Sequence, residues 1–420
     1  MVERSTPLPQ ADALAAGVPE GDAASNAVES PGGGDHIAAR KRRPRSASGG
    51  RGSGGGRPGN DPAGADSSRS RPTNDPSRGR QGDRSAWNGR RAYAAIDLGT
   101  NNCRLLIAKP AADGFVVVDA FSRAVRLGEG LGQSGRLSDA AMDRAVAALS
   151  ICADKLRRRH VALARSVATE ACRKAANGAD FIERVRRETG IVLDIITAEE
   201  EARLAVLGCH ILLEPGDGPA LIFDIGGGST ELVLVDSSGP VPDILDWMSV
   251  PWGVVTLTES ESFDPEDSHA RDAAYGRMRE RVMVGFADFA RRLPVLPNEE
   301  RRLLGTSGTV TTLASLHLDL PCYNRDAIDG LIVPSESMRA ISTRLAGMSL
   351  NERRLLPCIG KERADLVVAG CAILESILDI WPAVRLGVAD RGIREGILRA
   401  LMGRDAPPPT ATRPGDGTTS

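Results

Sequence analysis

One short motif occurs twice in this chain. "AAIDLGTNNCRLLIA" at residues 94–108 and "LIFDIGGGSTELVLV" at 221–235 align Asp97 with Asp224, Gly99 with Gly226, Asn102 with Ser229 and Leu105 with Leu232. Each copy is an apolar strand, a D-x-G turn with small polar residues, and a second apolar strand. The copies lie 127 residues apart, about one domain, which predicts two related α/β domains that each open on the same hairpin.

The sequence between the copies supports this. "FVVVDAF" (115–121) reads as a third strand, and a helix follows the Ser138 cap through "DAAMDRAVAALSICADKLRRR". "RSVATEA" reads as a strand entering a turn, "GADFIERVRRETG" as a helix, "IVLDII" as a strand, and a further helix starts at Thr197. Three strands followed by alternating helices and strands predict a mixed-sheet α/β fold. After the second hairpin come a strand in "DILDWMSVP", a helix around 272–292, a strand and loop in "RLLGTSGTV", and helices through 335–380.

Composition separates this body from its ends. Residues 1–91 are rich in Gly, Pro, Ser, Ala and Arg, carry 15 basic and 10 acidic side chains, and are expected to be a disordered basic arm. The remainder holds 38 basic and 45 acidic residues, so the arm adjoins an acidic body. Residues 404–420 ("RDAPPPTATRPGDGTTS") read as a second disordered segment. Lys41, Arg42, Arg43 and Arg45 could touch a polyanion or be a solvated run with no fixed partner. The expected domains are 92–219 and 220–391. No stretch approaches 18 apolar residues, and the first residues lack a signal-peptide core, so no membrane association is expected. Seven scattered cysteines without a C-x-x-C pair suit reduced thiols in a cytoplasmic protein.

The turns suggest the chemistry. Gly226, Gly227 and Gly228 leave backbone N–H groups uncovered for an anion, Ser229 adds a hydroxyl, and Gly99, Thr100, Asn101 and Asn102 do similar work in the first copy. Two such hairpins facing each other would clamp phosphate oxygens. Asp97, Asp224 and Glu231 flank that clamp, and carboxylates beside phosphate call for an intervening cation, most simply Mg2+. Asp97 and Asp224 could equally accept hydrogen bonds from their own turns. In "TAEEEARLAVLG" Thr197 and Glu200 have capping-box spacing and Glu199 suits the helix dipole. Glu201 lies one position further and could take a proton from an attacking water. Arg173, four residues after Thr169, could pair with phosphate or be a surface arginine. The "LGTSGTVTT" loop, with Gly305 and Ser307, is a further phosphate candidate.

Together, "AAIDLGTNNCRLLIA", "ATEACRKAANGADFI", "EEEARL", "FDIGGGSTEL" and "GTSGT", in this order, resemble the Ppx/GppA family of exopolyphosphatases and guanosine pentaphosphate phosphohydrolases. The resemblance covers roughly 92–403 and implies two RNase H-like domains of the actin-like, sugar-kinase-like superfamily with the active site in the cleft between them. It implies that Glu201 is the catalytic glutamate and that Asp224 and Glu231 serve metal and water positioning. It also implies that Gly99–Asn102 and Gly226–Ser229 are phosphate loops, that Arg173 binds phosphate, and that the last helix, 392–403, returns to the first domain. The chain resembles the short form without the additional helical region, and a homodimer is possible. An ATP-dependent kinase or ATPase on the same superfamily fold, and a guanosine alarmone sensor without turnover, remain the alternatives.

Overall fold

The computed structural model describes residues 91–405, apart from 113, 240, 361 and 362. The basic arm before Arg91 and the tail after 405 lie outside the described residues. Two sheets organise the rest. The first has the order β3-β2-β1-β4-β5, from β1 (Ala92–Leu98), β2 (Asn102–Ala111), β3 (Gly114–Ala124), β4 (Val161–Ala168) and β5 (Asp194–Ile195). β1, β2 and β3 are antiparallel neighbours, while β4 runs parallel to β1 and β5 parallel to β4.

The second sheet repeats the plan. β6 (Pro219–Ile225), β7 (Thr230–Asp236) and β8 (Asp243–Val250) form the antiparallel set, β9 (Arg302–Thr306) runs parallel to β6, and β11 (Arg385–Ala389) runs parallel to β9. A short strand, β10 (Ile332–Pro334), adds an antiparallel edge beyond β11. Both sheets therefore share one strand order, as the duplicated hairpin predicts, and it is the RNase H-like order that the resemblance implies. The match extends to a single bond. Gly99 N–H donates to Asn102 O at 2.9 Å in the first turn, and Gly226 N–H donates to Ser229 O at 3.0 Å in the second.

β1 shows why its sequence is apolar up to Asp97. Ala92, Ala94, Ile96 and Leu98 face helix Asp139–Arg158 and its Ala141, Ala145, Leu149 and Cys152. Tyr93 and Ala95 face the opposite way, against Leu204, Ala205, Ile397 and Leu401. A central strand covered on both sides buries every side chain it can. Helix Asp139–Arg158 starts at Ser138 as expected, the Ser138 side chain accepting from Ala141 N–H.

Helix Ala198–Cys209 holds the two halves together. Leu204 and Ala205 pack on the first sheet, whereas Ala202, Val206 and Cys209 pack on Ala220, Ile222, Val233 and Leu304 of the second. The last helix, Ile393–Asp405, crosses it at close range: a Cβ on Gly208 would lie 1.9 Å from Gly392 O, and one on Gly396 2.0 Å from Leu204 O. Glycines at the crossing let backbone meet backbone. The final helix thus returns to the first lobe, as expected.

Three readings need correction. "IVLDII" pairs only through Asp194 and Ile195, opposite Val167 and Ala168; at the sheet edge nothing covers Val192, which is 64% exposed. β10 and β11 escaped the sequence reading, because three and five residues are too few for periodicity to register. The capping box at Thr197 is only half made. Thr197 Oγ1 accepts from Glu200 N–H at 3.1 Å, but the Glu200 carboxylate turns to Arg165 Nη2 at 2.7 Å. Among the described residues no helix is long and apolar enough to cross a membrane.

Candidate active site

Both hairpin turns open into one cavity between the sheets. Asp97, Gly99, Thr100, Asn101 and Asn102 line it from the first lobe, and Asp224 with Gly226–Ser229 and Glu231 from the second. Glu201 enters from the first turn of helix Ala198–Cys209, and Ser307 from the start of helix Gly308–His317. Of the candidates named above, only Arg173 and Gly305 do not line it.

The glycine run has two jobs. A Cβ on Gly227 would sit 2.9 Å from Thr100 Cβ and 3.1 Å from Asn101 N. One on Gly228 would sit 2.7 Å from Thr100 Oγ1 and 2.9 Å from Glu170 Cγ, and one on Gly253 would fall 2.4 Å from the Gly227 carbonyl carbon. The absent side chains therefore let the two turns nest against each other. They also leave backbone amides bare beside the cavity, where N–H groups can meet anionic oxygens.

The carboxylates of the second hairpin stand opposite each other in register, Asp224 against Glu231. Their alternation places both side chains on one face, an unfavourable arrangement for two anions. Glu231 is buried and its Oε1 accepts from Ser229 Oγ at 2.7 Å and Ser249 Oγ at 2.9 Å. Burial still raises its pKa, the two hydroxyls only moderating the rise. Burial, and then the charge of Glu231, push Asp224 up to about 8, against the pull of Arg104. Asp97 is raised by burial too, with Arg104 and Arg394 opposing. In the first hairpin the position equivalent to Glu231 is Arg104, paired in register with Asp97. One hairpin sets a cation in register with its carboxyl, and the other sets carboxyl against carboxyl, an excess of acidic groups.

That excess is a fit for a hard divalent cation. Among the described residues no three ligand groups converge closely enough to hold an ion unaided. Mg2+ suits such a place, since it is commonly bound by one or two carboxylates with waters and substrate phosphates completing the octahedron.

Within the run Glu199–Glu201 the structure separates three roles. Glu199 is exposed, Glu200 pairs with Arg165, and Glu201 is 7% exposed at the cavity wall. Nη1 and Nη2 of Arg173 each donate to Glu201 Oε2 at 3.1 Å. The same guanidinium donates from Nη2 to Glu170 Oε2 at 2.6 Å and from Nη1 to the Ile196 carbonyl at 2.6 Å. Arg173, expected to reach phosphate, does not line the cavity, and its guanidinium holds the Glu201 carboxylate. Burial, followed by the charge of Glu231, raises the Glu201 pKa well above the ordinary range despite Arg173.

Gly305 is the second correction. It lies in β9 opposite Phe223, and a Cβ there would sit 2.4 Å from Phe223 Cζ. It is a glycine to admit that ring, and its position is core. Ser307 accepts from Val310 N–H at 3.0 Å and caps helix Gly308–His317, whose N-terminus faces the cavity. Arg104, Glu170 and Arg363 also line the cavity, and the sequence reading missed all three. The in-register partner of Asp97 could have pointed to Arg104, and the E-A-C-R spacing to Glu170. Arg363 has no comparable local signal.

The chain matches the model of the Ppx/GppA phosphatase family over residues 106–405. It is 32% identical over 325 residues to exopolyphosphatase 2 of Mycobacterium tuberculosis strain H37Rv, covering 74% of this chain and 98% of that one. The chain belongs to the Ppx/GppA phosphatase family. It is also 30% identical over 313 residues to the guanosine-5'-triphosphate,3'-diphosphate pyrophosphatase of Aeromonas hydrophila, covering 74% of this chain and 60% of that longer protein. Among solved structures it is similar to the Aquifex aeolicus Ppx/GppA family member, with a TM-score of 0.62 at 28% identity, covering 75% of this chain and 98% of that one. An exopolyphosphatase-like protein gives a TM-score of 0.66 at 29% identity, covering 74% and 98%. The fold is thus the two-domain, actin-like arrangement of Ppx/GppA proteins, with the cavity in its interdomain cleft.

Proposed function

We propose that this Ppx/GppA protein hydrolyses terminal phosphoanhydride bonds, with inorganic polyphosphate and guanosine pentaphosphate as the substrate classes. The observation that carries the reading is Glu201: the one buried member of its glutamate run, on the cavity wall, gripped by Arg173. A carboxylate whose proton affinity is raised by burial is a stronger base than one in water, and its fixed orientation keeps it aimed at a water in the cleft.

In this reading the turns at Gly99–Asn102 and Gly226–Ser229 hold the terminal phosphoryl group with their amides and hydroxyls. Glu201 takes a proton from water as the water oxygen bonds to the terminal phosphorus. The bridging P–O bond breaks, and the shortened chain leaves with the bond's electron pair. Asp224 and Glu231 would hold Mg2+, which would offset the negative charge shared by the carboxylates and the phosphates. Arg173 acts through Glu201 as a positioning residue. The stretch Arg40–Arg91, with 14 basic and 4 acidic residues, would add salt-sensitive attraction for long polyanions.

A phosphate-release panel with long-chain polyphosphate, tripolyphosphate, guanosine pentaphosphate, and ATP plus acceptors tests the proposal. Release from the first three without phosphoryl transfer from ATP supports it. Transfer from ATP to an acceptor, or binding without release, would replace it with the kinase or the sensor reading respectively.

A further inference from the structure

The two hairpin turns are joined by a second route, outside the cavity. The loop at 125–130, which follows β3, is bonded to the first turn. Val125 and Arg126 N–H both donate to Asn101 O, at 2.8 and 3.0 Å, and Gly128 N–H donates to Thr100 O at 2.9 Å. Arg144 holds the loop's other edge, its Nε donating to Val125 O at 2.8 Å and its Nη2 to Arg126 O at 3.1 Å. Bonded through amides on one side and carbonyls on the other, the loop must move with the first turn.

The second turn carries a matching element. Helix Val254–Glu259 stands on it, with Val254 N–H donating to Gly226 O at 3.0 Å and Val255 N–H to Gly227 O at 2.8 Å. Thr256 Oγ1 adds a bond to Gly228 O at 3.2 Å. The last residue of this helix reaches the loop: Gly130 N–H donates to Glu259 Oε1 at 3.0 Å. Gly130 sits at φ 71°, a left-handed conformation that a side chain would strain.

A second contact ties the same loop to the second lobe, Arg126 Nη2 lying 3.3 Å from Asp365 Oδ2. Arg126 is also left-handed, at φ 46°, and a non-glycine residue keeps such a backbone only where its surroundings fix it. Asp365 is held in turn through its neighbour Ala364, whose carbonyl accepts from the buried Arg353 Nε at 2.9 Å. Arg126, Gly130, Glu259 and Asp365 all lie outside the cavity lining. What they do to the reaction is done through the turns.

We infer that Glu259 and Asp365 are positioning residues: by gripping the loop at 125–130 they hold the second phosphate turn at a fixed spacing from the first. This role rests on the phosphoanhydride-hydrolase reading above and adds what keeps its phosphate clamp assembled. Two turns that share one phosphoryl group bind it only at a matched separation. If that separation wanders, the competent clamp exists for a fraction of the time, and apparent affinity falls by that fraction. The contacts are made to the protein and not to the substrate. Their loss should therefore weaken every substrate by the same factor, whatever follows its terminal phosphate.

The test is steady-state kinetics on long-chain polyphosphate, tripolyphosphate and guanosine pentaphosphate. Glu259→Ala should raise KM about three- to tenfold on all three with kcat little changed, since a charge-assisted contact is lost away from the reacting phosphorus. Glu259→Gln keeps an acceptor oxygen for Gly130 N–H and should stay within about twofold of wild type. Arg126→Asp and Asp365→Arg should each raise KM, and the two together should recover most of it. A residue that merely stabilised the fold would lower the active fraction, and so the apparent kcat, without a uniform rise in KM. Unchanged KM in Glu259→Ala and both charge reversals, a rise confined to one substrate, or no rescue by Glu259→Gln overturns the inference.

Amide hydrogen exchange on the full-length, substrate-free protein reads the same coupling without turnover. Exchange over 226–229 and 254–259 should quicken in Glu259→Ala and not in Glu259→Gln. Exchange that is the same in all three proteins overturns the inference. If exchange behaves as expected but the wild-type protein releases phosphate from none of the three substrates, the coupling stands and it is the hydrolase reading that fails.

Discussion

Asp224 and Glu231 face each other across a hairpin, and burial holds both carboxyls above their usual pKa. An arrangement that destabilises the protein alone is readily kept when it binds a charged ligand. Adding Mg2+ should therefore raise the melting temperature of the wild-type protein, and Asp224→Asn should weaken that response. A wild-type protein indifferent to Mg2+, in both melting and phosphate release, would contradict the role given to this pair.

The same pair sets a pH dependence in chelator. With its folded pKa near 8 and an unfolded value near 4, Asp224 binds more protons in the folded state between those limits. Its contribution to stability is then largest in acid and falls as pH rises from about 4 to about 8. Asp224→Asn lacks that fall. The variant's stability advantage should grow over this window to on the order of 2–5 kcal/mol, then level off. Denaturant melts at pH 5 and pH 8 read it, and a gap that stays constant or shrinks would refute the assignment.

Arg173 offers a positional test. Arg173→Lys keeps the charge but cannot bridge Glu201, Glu170 and the Ile196 carbonyl with one planar fork. We expect kcat to fall about 10- to 100-fold with KM changed much less, since the residue acts through Glu201. A large rise in KM with kcat preserved would instead make Arg173 a direct phosphate ligand.

Gly305→Ala separates core from site. Its methyl would meet the Phe223 ring at 2.4 Å, an overpacking that costs about 1–3 kcal/mol. Stability should fall while KM of the folded fraction holds. A changed KM at unchanged stability would return Gly305 to the phosphate site.

These two residues show where sequence reading stops. Strand–turn–strand repetition made both lobes legible, because a hairpin is local and its D-x-G turn has few alternative uses. The turns and the flanking carboxylates are legible from residue type and spacing, whereas the catalytic role of Glu201 is implied by the family resemblance. Arg173 and Gly305 did not, since what each touches comes from a distant segment: Glu201 lies 28 positions from Arg173, and Phe223 meets Gly305 only by parallel strand pairing. Arg363 reaches the cavity from beyond the second sheet's first five strands, and no local pattern announces it. The glycine run was half understood, because its phosphate-facing amides can be inferred from one turn and its nesting against Thr100 requires two.

The central claim is that Glu201, and not its neighbours, takes the proton. Glu201→Gln preserves shape and removes the base, while Glu200→Gln only releases Arg165. Phosphate release from polyphosphate, measured for both variants beside wild-type substrate binding, tests it most directly. The account predicts a loss of about 10²–10⁴-fold in kcat for Glu201→Gln with binding retained, and a loss below about threefold for Glu200→Gln. Equal losses in the two variants, or near-wild-type turnover by Glu201→Gln, would contradict it.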